Sequence, residues 1–134
     1  MNNIEKKWKP KYGEAYFAIE NAVDVVRYIY IGDDIDESCI LSGDYFPTRE
    51  RAEQVAKKIR LLLQLEQLHD QLCPDYEPDW DGTAKFLVAF DHTDGEMQAF
   101  FDRSSGESTL VYFRDVVTAM EAADILNAEK EESK

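Results

Sequence analysis

The sequence predicts an α+β protein made of two similar β-β-β-α units with antiparallel sheets, and three observations support this. Short runs rich in aromatic and β-branched residues, typical of strands, precede two segments with helical periodicity. The longer helix is expected at about 48–72 and the shorter at about 115–127. Both follow the same Tyr-Phe pair, at Tyr45 and Tyr112. We therefore interpret the 134 residues as a single domain with an internal repeat.

In the first unit, residues 1–72, a basic tail around Trp8 leads into two strands. The runs Ala15–Glu20 and Val25–Ile31 predict an antiparallel pair, because they are rich in aromatic and β-branched residues and a short gap separates them. The acid-rich residues 32–44 are expected to form an exposed loop, followed by a short strand that ends at Phe46.

The long helix is expected to begin at Thr48, whose hydroxyl can accept a free N–H of the first turn. At about 100° per residue, the apolar residues change sides near Leu62. The first face carries Ala52, Val55, Ala56, Ile59, Leu62 and Leu63, and the opposite face Leu61, Leu65, Leu68 and Leu72.

The four leucines of the second face, Leu61, Leu65, Leu68 and Leu72, are a candidate packing or dimer face. Three explanations stay open at this point. The second half of the helix contacts the other repeat, it contacts a second copy of the protein, or the helix breaks near Gln64.

Residues 73–82 contain two prolines and a glycine and predict a linker. The second unit, 83–128, begins with strands at Lys85–Asp91 and Met97–Asp102, and Asp94-Gly95 predicts a type I′ turn between them. A third strand is expected at 109–113, a helix capped by Asp115 follows, and residues 129–134 should fray.

The repeat is most evident where the two helices begin, since a capping residue and a stripe of small and apolar residues recur. The equivalent pairs are Tyr45 with Tyr112, Phe46 with Phe113, Thr48 with Asp115, Ala52 with Ala119, Ala56 with Ala123, and Ile59 with Leu126. Further upstream, Phe17 is equivalent to Phe86 and Ile19 to Val88.

The formal charge of −13 disfavours direct binding to nucleic acid or anionic lipid and favours a protein partner with a basic surface. No run approaches the roughly 20 apolar residues of a membrane span, and the N-terminal residues do not resemble a signal peptide. We therefore expect a cytoplasmic protein. The acids that form the candidate interaction surface are Asp33, Asp34, Asp36, Glu37, Asp75, Glu77, Asp79 and Asp81.

The sequence favours no enzyme, metal site or cofactor. His69 and Cys73 could share a helical face, but two ligands do not make a metal site. The acids at 33–37 lack the glycine and the final glutamate of an EF-hand loop. No phosphate-binding loop or hydrolase motif is present.

The segments WKPKYGEAY, from Trp8, and GDYFPTRERAEQVAKKI, from Gly43, resemble small uncharacterised proteins of bacterial prophages and other mobile elements. Members typically read WxPKxGExY and GNxFxTxEEAE. This chain has Asp44 in place of the usual Asn and Arg51 where an acid is common. The resemblance covers mainly residues 1–60 and implies phage origin, with no catalytic residues.

The leading hypothesis is a non-enzymatic, acidic interaction module of phage or prophage origin, acting in the host cytoplasm. Such a module could mimic DNA and inhibit a host nucleic-acid-binding or defence protein. The alternative is a small-molecule or nucleotide binder that uses sheet aromatics as a stacking platform. These are Tyr16, Phe17, Tyr28, Tyr30, Phe100 and Phe101.

Overall fold

The computed structural model describes residues 7–132. Within that range the chain has two separate two-stranded antiparallel sheets and three helices, which confirms the α+β class with repeated units. The elements are β1 (Ala15–Glu20), β2 (Asp24–Ile29), α1 (Asp34–Ser42), α2 (Arg49–Leu72), β3 (Lys85–Asp91), β4 (Glu96–Asp102) and α3 (Val116–Glu132).

The chain divides into two compact units between Leu61 and Leu62, inside helix α2. The sequence instead placed the division at the linker 73–82. Residues 62–72 belong to the second unit, where Leu65 and Leu68 are buried. The same leucines that reverse the apolar face of the helix therefore belong to the second core.

In the first unit, β1 and β2 form the expected hairpin. The turn has positive φ at Asn21 and Ala22, a conformation that matches the twist of the strands. The expected third strand is reduced to a single bridge, in which the backbones of Phe17 and Phe46 exchange two hydrogen bonds of 2.9 Å.

The segment expected to be an acidic loop is helix α1, so that prediction was wrong. The side chain of Asp33 accepts the N–H of Asp36 at 2.9 Å, and Asp36 in turn accepts the N–H of Asp33, which together form a capping box. Gly43 ends the helix with φ of 78°. Acids in the first turn also suit the positive end of the helix dipole.

Asp36 is only 1% exposed, which corrects its assignment to an acidic surface. Its carboxylate accepts the Tyr16 hydroxyl at 2.5 Å and the N–H groups of Ile31 and Gly32 at 2.8 and 2.9 Å. Burial by itself raises the pKa of Asp36, but these hydrogen bonds outweigh it and hold the pKa below its ordinary value. The charged carboxylate therefore joins α1 to the hairpin.

In the second unit, β3 and β4 pair over their whole length, from Lys85 opposite Asp102 to Asp91 opposite Glu96. The hairpin is as expected, but its turn is not type I′, because among its residues only Gly95 has positive φ. The loop has four residues between the paired ends instead of two, and Gly95 donates its N–H to the Asp91 carbonyl at 2.7 Å.

Phe113 forms a single bridge with Phe86, so the expected strand at 109–113 is also reduced to one residue. Side chains satisfy the preceding backbone locally, since Ser108 accepts the N–H of Leu110 at 3.3 Å. Helix α3 continues to Glu132, beyond the expected end near 127, so 129–132 are helical. The other residues expected to fray, 133–134, lie outside the described range, as do 1–6 of the basic tail.

The residues equated from the sequence occupy the same structural positions in the two units. The bridges join Phe17 to Phe46 in one unit and Phe86 to Phe113 in the other. Thr48 accepts an N–H three residues on at 3.2 Å, and Asp115 does the same at 2.8 Å. The buried alanines coincide as well: Ala52 with Ala119, and Ala56 with Ala123.

Helix α2 is continuous from Arg49 to Leu72, so it does not break at Gln64. Among residues 7–132, no helix has both the length and the apolar character needed to cross a membrane.

We predict that Leu65→Glu lowers the free energy of unfolding by about 3 kcal/mol or more, because it places a charge where a leucine was buried. Leu65 is 8% exposed and Leu63 53%, so Leu63→Glu is a control with the same charge change and an expected effect of less than about 0.5 kcal/mol. Urea denaturation followed by circular dichroism measures both. Equal effects of the two variants would contradict the packing of Leu65 in the core, and a change in elution volume for Leu65→Glu without loss of stability would support the dimer-face explanation instead.

Candidate interaction surface

Residues 75–82 alternate between exposed and half-buried side chains. Asp75, Glu77, Asp79 and Asp81 are exposed, and we call these four residues the acidic strip. Tyr76, Pro78 and Trp80 between them are half-buried. The half-buried side chains face the rest of the second unit, while the exposed side chains between them are all carboxylates.

Trp80 holds the C-terminal part of the strip. Its ring meets Tyr112 edge to face, with centroids 5.7 Å apart, and the ammonium of Lys85 lies 5.2 Å from its centroid. Lys85 is fully buried and donates to the carbonyls of Thr83, at 3.2 Å, and Ser104. A cation over a tryptophan ring contributes about 1 kcal/mol, and more where water is excluded.

His69 holds the N-terminal part of the strip. Its Nε2 lies 2.9 Å from the Tyr76 carbonyl oxygen and its Nδ1 lies 3.0 Å from Asp70 Oδ1. Both partners are acceptors, so the doubly protonated ring suits the site. Burial lowers the pKa of His69, but hydrogen bonding to Asp70 and Tyr76 more than compensates, and the pKa lies above its ordinary value.

The strip is locally acidic despite one neighbouring base. Arg114 lines the same depression as Asp75, Glu77 and Asp79, a space of about 380 Å³, and its guanidinium also lies 3.5 Å from Asp115. Two hydrogen bonds from Thr83, with a smaller effect of Lys85, hold the pKa of Asp81 below its ordinary value. Asp75 lies in the turn that follows α2 and Asp81 in a bend, and the residues between them form neither helix nor strand.

The other acids proposed from the sequence lie on or beside helix α1. Asp33, Asp34 and Glu37 are exposed, whereas Asp36 is in the core. The Asp33 carboxylate already accepts the N–H of Asp36. In the first unit this leaves Asp34 and Glu37 as the acids of that group without a structural hydrogen bond among the described residues.

In the candidate packing face, Leu65 and Leu68 are buried, and Leu61 and Leu72 are half-buried. One turn on from Leu65, the His69 ring lies 6.5 Å from that of Phe113, which places this part of α2 in the core of the second unit. The two central leucines are thus packed within the chain and not presented to a second copy.

The aromatic residues of the alternative hypothesis do not form one platform. Tyr16 is in the core, stacked 5.7 Å from Tyr28, whose hydroxyl donates to Glu20 at 2.5 Å. Half-buried Phe17 is covered by the Arg49 guanidinium at 5.2 Å, and Tyr30 is half-buried. Phe100 and Phe101 are adjacent in β4 and so point to opposite faces of their sheet.

The described residues contain no group of three or more His, Cys, Asp or Glu side chains arranged to hold a metal ion. Both ring nitrogens of His69 are occupied by protein partners, so this ring has no free lone pair for the metal pair considered with Cys73.

Sequence reasoning missed two buried charged groups, Asp36 and Lys85. Their residue types are usually exposed, and neither lies in a motif that signals burial. The one available clue was the position of Lys85 at the start of an otherwise apolar strand, KFLVAF.

Comparisons of the chain with models of protein families, with curated proteins and with solved structures give no match.

We predict that stability falls as pH rises above about 6.5 and through the folded pKa of His69, because that pKa lies above the unfolded value of 6.5. A raised pKa means that folding takes up a proton, so the stabilisation is complete below the unfolded pKa and is lost as pH rises through the folded pKa. Denaturant midpoints measured across this range in His69→Gln should lose the pH-dependent component. The exposed His92 provides the matched control, His92→Gln, which should keep it; the opposite pattern would overturn this assignment.

Proposed function

We propose that this protein is a non-enzymatic interaction module that presents the acidic strip to a basic surface of another protein. The observation that carries the proposal is the alternation in residues 75–81, where each exposed acid neighbours a side chain fixed to the second unit. A fixed row of charges loses less conformational entropy on binding than a row on a mobile loop.

The contacts of His69 and Trp80 hold the strip in place, and the arrangement of its acids determines which kind of partner it suits. Four exposed carboxylates on alternate residues match a group of Lys or Arg side chains in a groove of the partner. Duplex DNA has about one charge per 1.7 Å of axis, so the strip provides far less charge than a duplex does. It therefore suits part of a nucleic-acid-binding cleft, which it would block by occupying its basic residues.

The wider biological setting is also part of the proposal. The resemblance of residues 1–60 to prophage and mobile-element proteins supports a phage origin and a place in the host cytoplasm. The net charge of −13 supports a partner that is basic, such as a host nucleic-acid-binding or defence protein, because opposite charge accelerates association.

The test compares two variants with equal charge. The strip variant is Asp75→Asn, Glu77→Gln and Asp79→Asn; Asp81 is kept because its carboxylate bonds to Thr83. The control variant is Glu53→Gln, Glu107→Gln and Glu129→Gln, three exposed residues on other segments. Each variant removes three negative charges. Melting curves first confirm that both variants are folded.

Immobilised wild-type protein is used to capture basic proteins from a bacterial lysate, and the captured protein is then purified and titrated by calorimetry. We predict that the strip variant weakens binding at least about tenfold and the control less than about threefold, with affinity falling as salt rises. Equal weakening by both variants would show that binding depends on net charge alone and not on the acidic strip. If wild-type protein captures no basic protein, the proposal fails.

A further inference from the structure

The outer edge of β4 carries backbone groups that point away from β3. The N–H of Met97 donates to Asn127 Oδ1 at 2.8 Å, and Asn127 Nδ2 donates to the Met97 carbonyl at 3.0 Å. Because the direction alternates along an antiparallel strand, Ala99 and Phe101 also direct their N–H and C=O outward. Among residues 7–132, no group pairs with the outward backbone of these two residues.

A groove of about 290 Å³ runs between this edge and helix α3. Met97 and Ala99 line it from the strand, and Met120 and Ala123 from the helix. Phe101 is on the same strand face as Met97 and Ala99, and it is 63% exposed. The groove thus offers unpaired backbone groups beside apolar side chains.

The charges that line the groove are acidic. Glu96 and Asp124 line it, and its lining contains no base. Glu121 is exposed in the preceding turn of α3. Two bases lie over rings toward the ends of the hairpin, Lys130 at 4.9 Å from the Phe90 ring and Arg103 at 6.0 Å from that of Phe101.

We propose that the edge of β4 binds an extended segment of another protein as an added antiparallel or parallel strand, and that the segment carries Lys or Arg at alternate positions. The side chain of Asn127 already makes with Met97 the pair of bonds that one residue of an added strand would make. Ala99 and Phe101 offer the next two positions along the edge.

Charge complementarity selects this occupant. Basic side chains on the helix side of the added strand lie against Asp124, while its intervening side chains lie on the opposite face of the sheet, beside Phe100. A second copy of the chain would bring together two molecules that each have a formal charge of −13, which opposes association. The site uses elements other than the acidic strip and does not depend on the function proposed for it.

The test uses labelled peptides of about eight residues in which Lys and Val alternate, a length typical of strands. Successive N–H groups of an extended peptide point to opposite edges, so one peptide is N-methylated at every second residue and another at the intervening residues. Nitrogen-15 spectra of the full chain should show saturable shifts at Ala99, Phe101 and Asp124. One methylated peptide should bind like the parent and the other at least about tenfold more weakly.

A variant of the protein also distinguishes backbone pairing from charge attraction. Ala99→Pro removes an outward N–H and leaves the bonds to β3, so it should remain folded and bind the parent peptide at least about tenfold more weakly. The strip variant serves as control and should bind normally. Equal binding of both methylated peptides would show that charge attraction, and not backbone pairing, holds the peptide. Absence of saturable binding would overturn the proposal. A concentration-dependent dimer that Ala99→Pro dissociates would assign the edge to a second copy.

Discussion

One helix, α2, must bury apolar side chains on two opposite faces, and this constraint organises the chain. Its first half buries Ala52 and Ala56, and its second half buries Leu65 and Leu68 about half a turn away around the axis. The boundary between the two compact units falls where the faces change. A helix with a single apolar stripe could complete only one of the two cores, so the leucines after Leu61 determine that the second unit includes this part of the helix.

Each of the two units builds its core from the same structural elements. A hairpin carries a phenylalanine whose backbone bridges to a second phenylalanine, and a capped helix begins a few residues later. The units differ in their buried polar group. Tyr16 bonds to the carboxylate of Asp36, whereas Lys85, at the equivalent strand position, bonds to backbone carbonyls and lies over Trp80. In the second unit this group also fixes the segment that carries the acidic strip.

The parts predictable from the sequence are those governed by local pattern. Periodicity and the internal repeat predict the two hairpins, the caps at Thr48 and Asp115, and the buried alanines. Helix α1 was not predicted, because its run of acids is typical of an exposed loop and the capping box formed by Asp33 and Asp36 was not recognised. In addition, Asp36 is buried against Tyr16, which is 20 residues away in the sequence. No local rule indicates that Asp36 has that partner. The third strands were overestimated, because aromatic content does not show how far backbone pairing extends, and in each unit the pairing is a single bridge, at Phe46 and at Phe113.

The acidic strip was proposed from charge alone, and the structure adds its anchors. On either side of Pro78, the Tyr76 carbonyl bonds to His69 and the Trp80 ring packs against Tyr112, which holds the segment that carries the four acids. The most direct test of this account is the ¹⁵N order parameter of the Glu77 and Asp79 amides in the free protein. The account predicts values near those of rigid backbone, about 0.85, whereas values below about 0.6 would show a mobile linker and contradict it.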